Sequence, residues 1–436
     1  MANNTDLALQ QQVIYSVYLR SHTPEGTFRA LIGDLDRIRA LGTDIVWLMP
    51  IHPIGEQGKK GSLGCPYANR DYRAVNPEYG TMEDFRALVD AIHARGMKCI
   101  IDVVYNHTSP DSVLWREHPE FFYRRADGRP GNKVGDWTDV IDLDYGVPAL
   151  WDYQIETLCF WAGIVDGFRC DVASFVPLSF WLRAREAVEQ VRPGCIWLAE
   201  SVHRSFGAAA RAAGITAVRD TDLYQAFDIE YEYDIRECFD AYLRGEAQLS
   251  HYLDLLTFQE TVYPENYNKL RFLENHDQPR IASLVSDPLA LENHTAMLYF
   301  RKGTTLLYAG QEFACTHLPS LFEREVFPRD TGTDLTELLR RLYAIKRRLG
   351  AQDAFFAAAD DAHDVAVLER RSAAQVAVGV FSLKAAAAEA AVPLRDGIYE
   401  NALTGAPVTV AAGKLFCDGR PVILFAPISA SAARSL

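Results

Sequence analysis

No excess of positive charge, no long apolar run and no paired cysteine motif occurs in this 436-residue chain. Lys and Arg number 44 against 58 Asp and Glu, a formal charge of −14. A net-acidic surface repels phosphate backbones, so nucleic acid is not an expected partner, whereas a neutral ligand feels no such repulsion. No apolar stretch approaches the roughly 18 to 20 residues a membrane helix needs, so no membrane partner is expected either. The opening MANNTDLALQQQVIY has no basic start, no continuous apolar stretch and no small-residue cleavage site. Strand-like residues begin by Val13, which argues against a secretory leader. The cysteines, Cys65, Cys99, Cys159, Cys170, Cys195, Cys238, Cys315 and Cys417, are scattered without a CxxC pair. They are expected as buried free thiols in a reducing cytoplasm, with no structural zinc site.

Catalytic signatures are missing too. There is no GxSxG elbow, no HExxH and no glycine-rich phosphate loop. Nor is there an internal repeat, beyond an alternation of short apolar runs with helical patterns. Hydrophobic residues make up 49% and charged residues 23%, close to a soluble globular average.

That alternation fills the first 350 residues. VIYSVY from Val13 and DIVWLMP, stopped by Pro50, predict two strands. Between them Phe28, Leu31, Ile32, Leu35, Ile38 and Leu41 recur at offsets of three and four, the stripe of one helix. Thr81 and Asp84 form a capping box for a helix carrying Phe85, Leu88, Val89 and Ile92 and closed by Gly96. KCIIDVVY is almost continuously apolar, as in a parallel sheet buried on both faces. DGFRCDV, CIWLAES, KLRFLEN and TTLLYAG continue the series, with a sixth strand near Ala226 to Ile229. Such repetition at this length favours a closed (β/α)₈ TIM barrel over an open doubly wound sheet. The predicted division is a barrel over 1–107 and 147–350, an inserted subdomain over 108–146, and a C-terminal all-β sandwich over 351–436. The insertion is rich in Asp, Gly, Pro and aromatics and lacks a helical period. DVAVLERR, QVAVGVFSL, GIYENALTG and PVILFAP supply the sandwich strands, while AAAAEAA from Ala385 reads as a loop or distorted strand.

Polar residues interrupt these strands at their ends. Asn106 and His107 follow KCIIDVVY, Arg169 and Asp171 end DGFRCD, Glu200 ends CIWLAE, and Glu274, His276 and Asp277 follow KLRF. In a barrel all lie at the C-terminal mouth, where βα-loops build active sites. Carboxylates, imidazoles and an arginine suit glycosidic cleavage, in which one acid protonates a leaving oxygen and another carboxylate attacks the sugar. Arg169 shares a strand face with Asp171, and an adjacent guanidinium favours the ionised carboxylate a nucleophile requires. Glu200 follows an apolar run, where desolvation would favour a protonated acid.

DVVYNH (102–107), GFRCDVAS (167–174), WLAES (197–201) and FLENHD (272–277) resemble, in order, the four catalytic segments of the α-amylase family of glycoside hydrolases. GTDIVWLMPIHP and GCPYANRDYRAVNPEYGTMEDF are similar to its second-strand and following-loop segments. The resemblance covers residues 13 to 350 and, more loosely, the β-rich tail. It implies Asp171 as nucleophile, Glu200 as acid/base and Asp277 as the third carboxylate, gripping sugar hydroxyls. It also implies that His107 and His276 bind hydroxyls, that Arg169 orients Asp171 and that Tyr67 stacks beneath the sugar ring. Asp102 reads as a structural partner of Arg169, and Trp137 and Trp151 as packing residues. The family retains anomeric configuration through a covalent glycosyl-enzyme. Its calcium-binding members carry Lys-His shortly after the nucleophile, where this chain has Ser174, Phe175 and Val176. Asn106 thus lacks a usual co-ligand, so no metal or cofactor is expected, with calcium the open alternative. Val172 and Gln278-Pro279-Arg280 look more like the exo-acting α-glucosidase branches, including α-1,6 activity. The expected substrate is a short maltooligosaccharide, cleaved at α-1,4 bonds. An α-glucan transglycosylase and a catalytically inactive sugar-binding homologue remain alternatives.

Overall fold

The computed structural model describes residues 5–134 and 137–428. The outer ends of the first and last predicted segments, 1–4 and 429–436, and positions 135–136 of the insertion lie outside them. Eight parallel strands close a barrel: β1 Val13–Val17, β2 Ile45–Leu48, β3 Lys98–Val103, β4 Gly167–Cys170, β5 Ile196–Ala199, β6 Ile229–Tyr231, β7 Lys269–Arg271 and β8 Thr304–Tyr308. Each strand neighbours the next in sequence and β1 neighbours β8, the TIM-barrel order. Every residue of β1, β2, β4, β5 and β8 is buried, as near-continuous apolar runs require.

Register positions the chemistry. Asp102 on β3 pairs with Arg169 on β4, and Cys170 on β4 with Ala199 on β5. The next residue along each of β4 and β5 is therefore Asp171 and Glu200, side by side. Their main-chain N–H groups continue the ladder, donating to Val103 (2.9 Å) and Cys170 (3.0 Å).

Three readings shift. The predicted helix over Phe28 to Leu41 is two, Phe28–Ile32 and Leu35–Ala40. Gly33-Asp34 breaks it, because Gly is a poor helix former and the Asp34 carboxylate is held by His22 (2.8 Å) and Arg37 (2.7 Å). The sixth strand begins at Ile229, because Ala226 and Phe227 are spent in turns closing the helix Asp220–Leu223. AAAAEAA splits: Ala385 takes a left-handed turn (φ 56°) and Ala388–Ala391 forms a regular strand. The Thr81–Asp84 capping box forms as predicted.

The chain divides into two compact units, one built mainly of residues 14–234 and 318–328, the other of 7–13, 235–317 and 329 onward. In the first, the insertion hangs on a short antiparallel ribbon that pairs His107 with Asp142 and Thr108 with Ile141. In the second, two antiparallel four-stranded sheets follow the barrel. One has the order β9 (Ala354–Asp360), β10 (Val365–Arg371), β11 (Gln375–Ser382), β16 (Val422–Pro427). The other has β12 (Ala388–Ala391), β15 (Lys414–Cys417), β14 (Pro407–Ala411), β13 (Gly397–Glu400). Val378, Val380 and Leu424 of one meet Ala390, Val410 and Leu415 of the other in a single apolar core, a β-sandwich. Among the described residues no helix is long and apolar enough to cross a membrane. No disulfide links the eight cysteines; five are buried as expected, whereas Cys65, Cys159 and Cys238 are only half-buried.

Candidate active site

Arg169 organises the predicted site residues of the first unit. Its side chain has no solvent exposure, and three carboxylates converge on it: Asp102 at 2.9 Å, Asp171 at 2.7 Å and Glu200 at 2.8 Å. Burial alone would lower the guanidinium pKa, yet the charges of Asp102 and Glu200 raise it well above its ordinary value, so the cation is permanent. The rings of Trp47, Tyr67 and Tyr231 surround it, with centroids 5.2, 5.6 and 5.5 Å away. Such a cage offers a desolvated cation π-faces in place of water.

Asp102 is the structural partner the sequence suggests, and its second oxygen accepts from the Tyr67 hydroxyl (3.0 Å). Tyr67 is thereby held by Asp102 with its ring toward Arg169. Glu200 is buried, Arg169 reaches one of its oxygens and the Val172 N–H donates to the other at 2.8 Å. One guanidinium therefore holds both Asp171 and Glu200.

Val172 was missed as a positioning residue. Its backbone is left-handed (φ 36°, ψ 45°), a costly place for a β-branched side chain. That turn aims its N–H at Glu200. Composition gives no hint of it, because Gly or Asn would be the usual signal of positive φ. The rings of His203 and Tyr233 lie 4.3 Å apart, tilted by 32°, and His203 is three residues beyond Glu200 on the same mouth loop.

His107 is buried, and burial lowers its pKa, favouring a neutral ring that can both donate and accept. Its ring lies 5.4 Å from that of Trp137, and the Asn106 amide nitrogen is 3.1 Å from its Nδ1. Trp137 thus sits against a predicted sugar-binding residue, while Trp151 is a packing residue: its indole donates to Tyr145 and its ring meets Phe180 edge-on.

His276 and Asp277 follow β7, in the second unit. The imidazole Nε2 is 3.1 Å from the Asp277 carboxylate, with His276 buried and Asp277 at 45% side-chain exposure. Glu274, from the same run, belongs to the scaffold. Buried Arg280 donates to it at 2.6 Å and the Ile281 N–H at 2.7 Å. Arg280 of the Gln-Pro-Arg sequence is therefore spent on a buried ion pair and on the Ala309 carbonyl (2.8 Å).

Calcium takes six to eight oxygens, usually with several carboxylates. Among the described residues that line the cavity beside Asn106, Asp142 is the one carboxylate, and Lys133 lines it too. Among the described residues no group of three or more His, Cys, Asp or Glu is placed to hold a metal ion.

A closed parallel barrel whose rim gathers an arginine-bridged carboxylate pair is the frame of a glycoside hydrolase. The α-amylase catalytic-domain profile matches residues 4–137 and 133–348, and the bacterial α-amylase C-terminal-domain profile matches 356–424. The chain belongs to the α-amylase family. An α-amylase from Lactobacillus plantarum superposes with a TM-score of 0.94 at 46% identity, over 97% of this chain and 100% of that one. The noncanonic maltogenic α-amylase AmyB from Thermotoga neapolitana gives 0.86 at 32%, over 97% and 100%. A probable oligo-1,6-glucosidase 2 from Bacillus subtilis is 26% identical over 422 residues, covering 77% of this chain and 72% of its own. The chain is a retaining glycosidase of the α-amylase/α-glucosidase type, acting on α-glucans.

Proposed function

We propose that this enzyme cleaves α-1,4 bonds of short maltooligosaccharides by double displacement, with Asp171 as nucleophile and Glu200 as acid/base. An Asp171 oxygen attacks the anomeric carbon while Glu200 gives its proton to the departing glycosidic oxygen. Water then gives a proton to Glu200 and attacks the same carbon, releasing Asp171. Asp277 and His276 grip hydroxyls of the reacting sugar, as does His107, and Tyr67 lies against the ring. Arg169 orients Asp171 and, through its second nitrogen, Glu200. The observation that carries this reading is that one buried guanidinium holds both carboxylates, at 2.7 and 2.8 Å.

A second reading, exo action including α-1,6 bonds, draws on the Bacillus subtilis relative named as a probable oligo-1,6-glucosidase. Product profiles on maltose through maltoheptaose, isomaltose and pullulan, with and without an acceptor sugar, separate the readings. Cleavage of maltoheptaose with isomaltose untouched supports α-1,4 action. Glucose released from isomaltose faster than from maltose overturns it, and elongated products with an acceptor mark a transglycosylase. The reaction needs no divalent metal in this proposal, and the free thiols support a cytoplasmic setting.

A further inference from the structure

The cavity beside Asn106, about 510 Å³, lies between the insertion and the barrel loops and is lined by Tyr123, Lys133, Asp142, Phe175 and Thr216 among others. Asp142 is 1% exposed, and its Oδ1 has no hydrogen-bond partner. Its Oδ2 accepts the main-chain N–H of Lys133 at 2.7 Å. The Lys133 ammonium donates to the Leu143 carbonyl at 3.1 Å and lies 5.4 Å from the Tyr123 ring centroid. Burial raises the Asp142 carboxyl pKa, opposed first by the Lys133 main-chain N–H and then by neighbouring charge, that of Lys133 included. An anion in such a place needs a resident positive charge.

We propose that the Lys133 ammonium is that resident charge, taking the place a metal ion would have and fixing the ribbon strand that positions His107. The route is short. Lys133 binds Asp142 through its backbone and Leu143 through its side chain, and Asp142 pairs with His107 across the ribbon. Lys133 is a positioning residue and touches no substrate. This rests on the metal-free reading above, but its readouts remain interpretable whichever linkage is cleaved.

The test compares wild type with Lys133→Met, Lys133→Arg and Arg129→Met, the last removing a cation of the same insertion that is 84% exposed. Wild type should melt at the same temperature in EDTA and in millimolar CaCl₂. Lys133→Met should melt about 2 °C or more lower. Measured well below that midpoint, its kcat/KM should fall about tenfold, since a displaced His107 weakens substrate and transition-state contacts. Lys133→Arg should recover most of both losses, and Arg129→Met should behave as wild type. A midpoint for wild type that rises with Ca²⁺ overturns the proposal, as does a Lys133→Met enzyme with unchanged kcat/KM. Should Lys133→Met not fold, calorimetric titration of wild type with CaCl₂ decides: no binding heat upholds it and stoichiometric binding overturns it.

Discussion

The cluster around Arg169 and the core between the C-terminal sheets are equally dry and built from opposite materials. In the first, one cation and three carboxylates sit where Asp102 and Arg169 have no exposed side-chain surface. In the second, the sealed side chains are Val378, Val380, Val410, Leu415 and Leu424. Removing ions from water costs several kcal/mol each, and their mutual attraction returns only part of it. Apolar burial runs the other way, stabilising by about 25 cal/mol per Å². The carboxylate cluster is therefore kept for what it does, and the sandwich core for what it holds. Substitutions should separate the two cleanly.

The largest effect belongs to the nucleophile. Asp171→Asn keeps the shape and the Arg169 neighbour but cannot form the glycosyl-enzyme, so kcat should fall by about 10⁴ or more. The melting temperature should hold or rise, because one buried charge is gone. Steady-state rates on maltoheptaose beside a melting curve check this, and rates within tenfold of wild type would remove Asp171 as nucleophile. Arg169→Met comes next. It leaves Asp102, Asp171 and Glu200 without their shared counter-charge, which should destabilise the fold by about 3–5 kcal/mol. Activity should fall with it, since both catalytic carboxylates lose the same anchor. A Met variant that melts like wild type would show that the cluster is not held by charge.

How much of this contrast the sequence disclosed follows from what kind of force makes each part. Strand ends at Asp102, Arg169, Asp171 and Glu200 were legible because a charge after an apolar run is rare, and barrel register then forces them together. Asp102 as partner of Arg169 followed from the same logic. The grip of Arg169 on Glu200 was not legible, because it depends on which nitrogen of a fork faces which strand. Val172 was hidden altogether, since nothing in a valine announces a left-handed backbone. Glu274 is the opposite case: it follows an apolar run as the others do, and only the fold shows that it is paired with Arg280. The Gly33 break in the predicted helix is similar: the apolar stripe persists through Leu35 and Ile38 while the backbone is interrupted. Periodicity reports the buried face, and it is insensitive to a two-residue turn that keeps that face in phase.

Leu424→Ala sharpens the contrast from the apolar side. Leu424 is fully buried on β16 and pairs with Val378, so truncation should cost about 2–5 kcal/mol. Measured where the variant is folded, kcat/KM should be unchanged, because no group of the carboxylate cluster is altered. A tenfold loss of kcat/KM at full folding would break the division between a chemical region and a supporting one.

The smallest effect tests whether the contrast is as complete as it looks, because each compact unit also buries a histidine away from its cluster. His52 and His294 are both pushed down to about 4, in each case chiefly by burial. An unfolded chain binds these protons below about 6.5, whereas the folded chain binds them only near 4. Between those values the unfolded state holds more protons, so stability rises with pH and is lost as pH falls from about 6.5 towards 4. Each histidine contributes roughly 3 kcal/mol across that window at most. His294→Gln, on the helix Pro288–Phe300, removes one of these titrations, His107 being a further histidine that burial pushes down, and the acid-side slope of urea-unfolding free energy should become shallower without vanishing. An unchanged slope would mean that acid sensitivity comes from elsewhere in the chain. A slope lost entirely would mean that neither His52 nor His107 contributes, and that the two units do not share this liability.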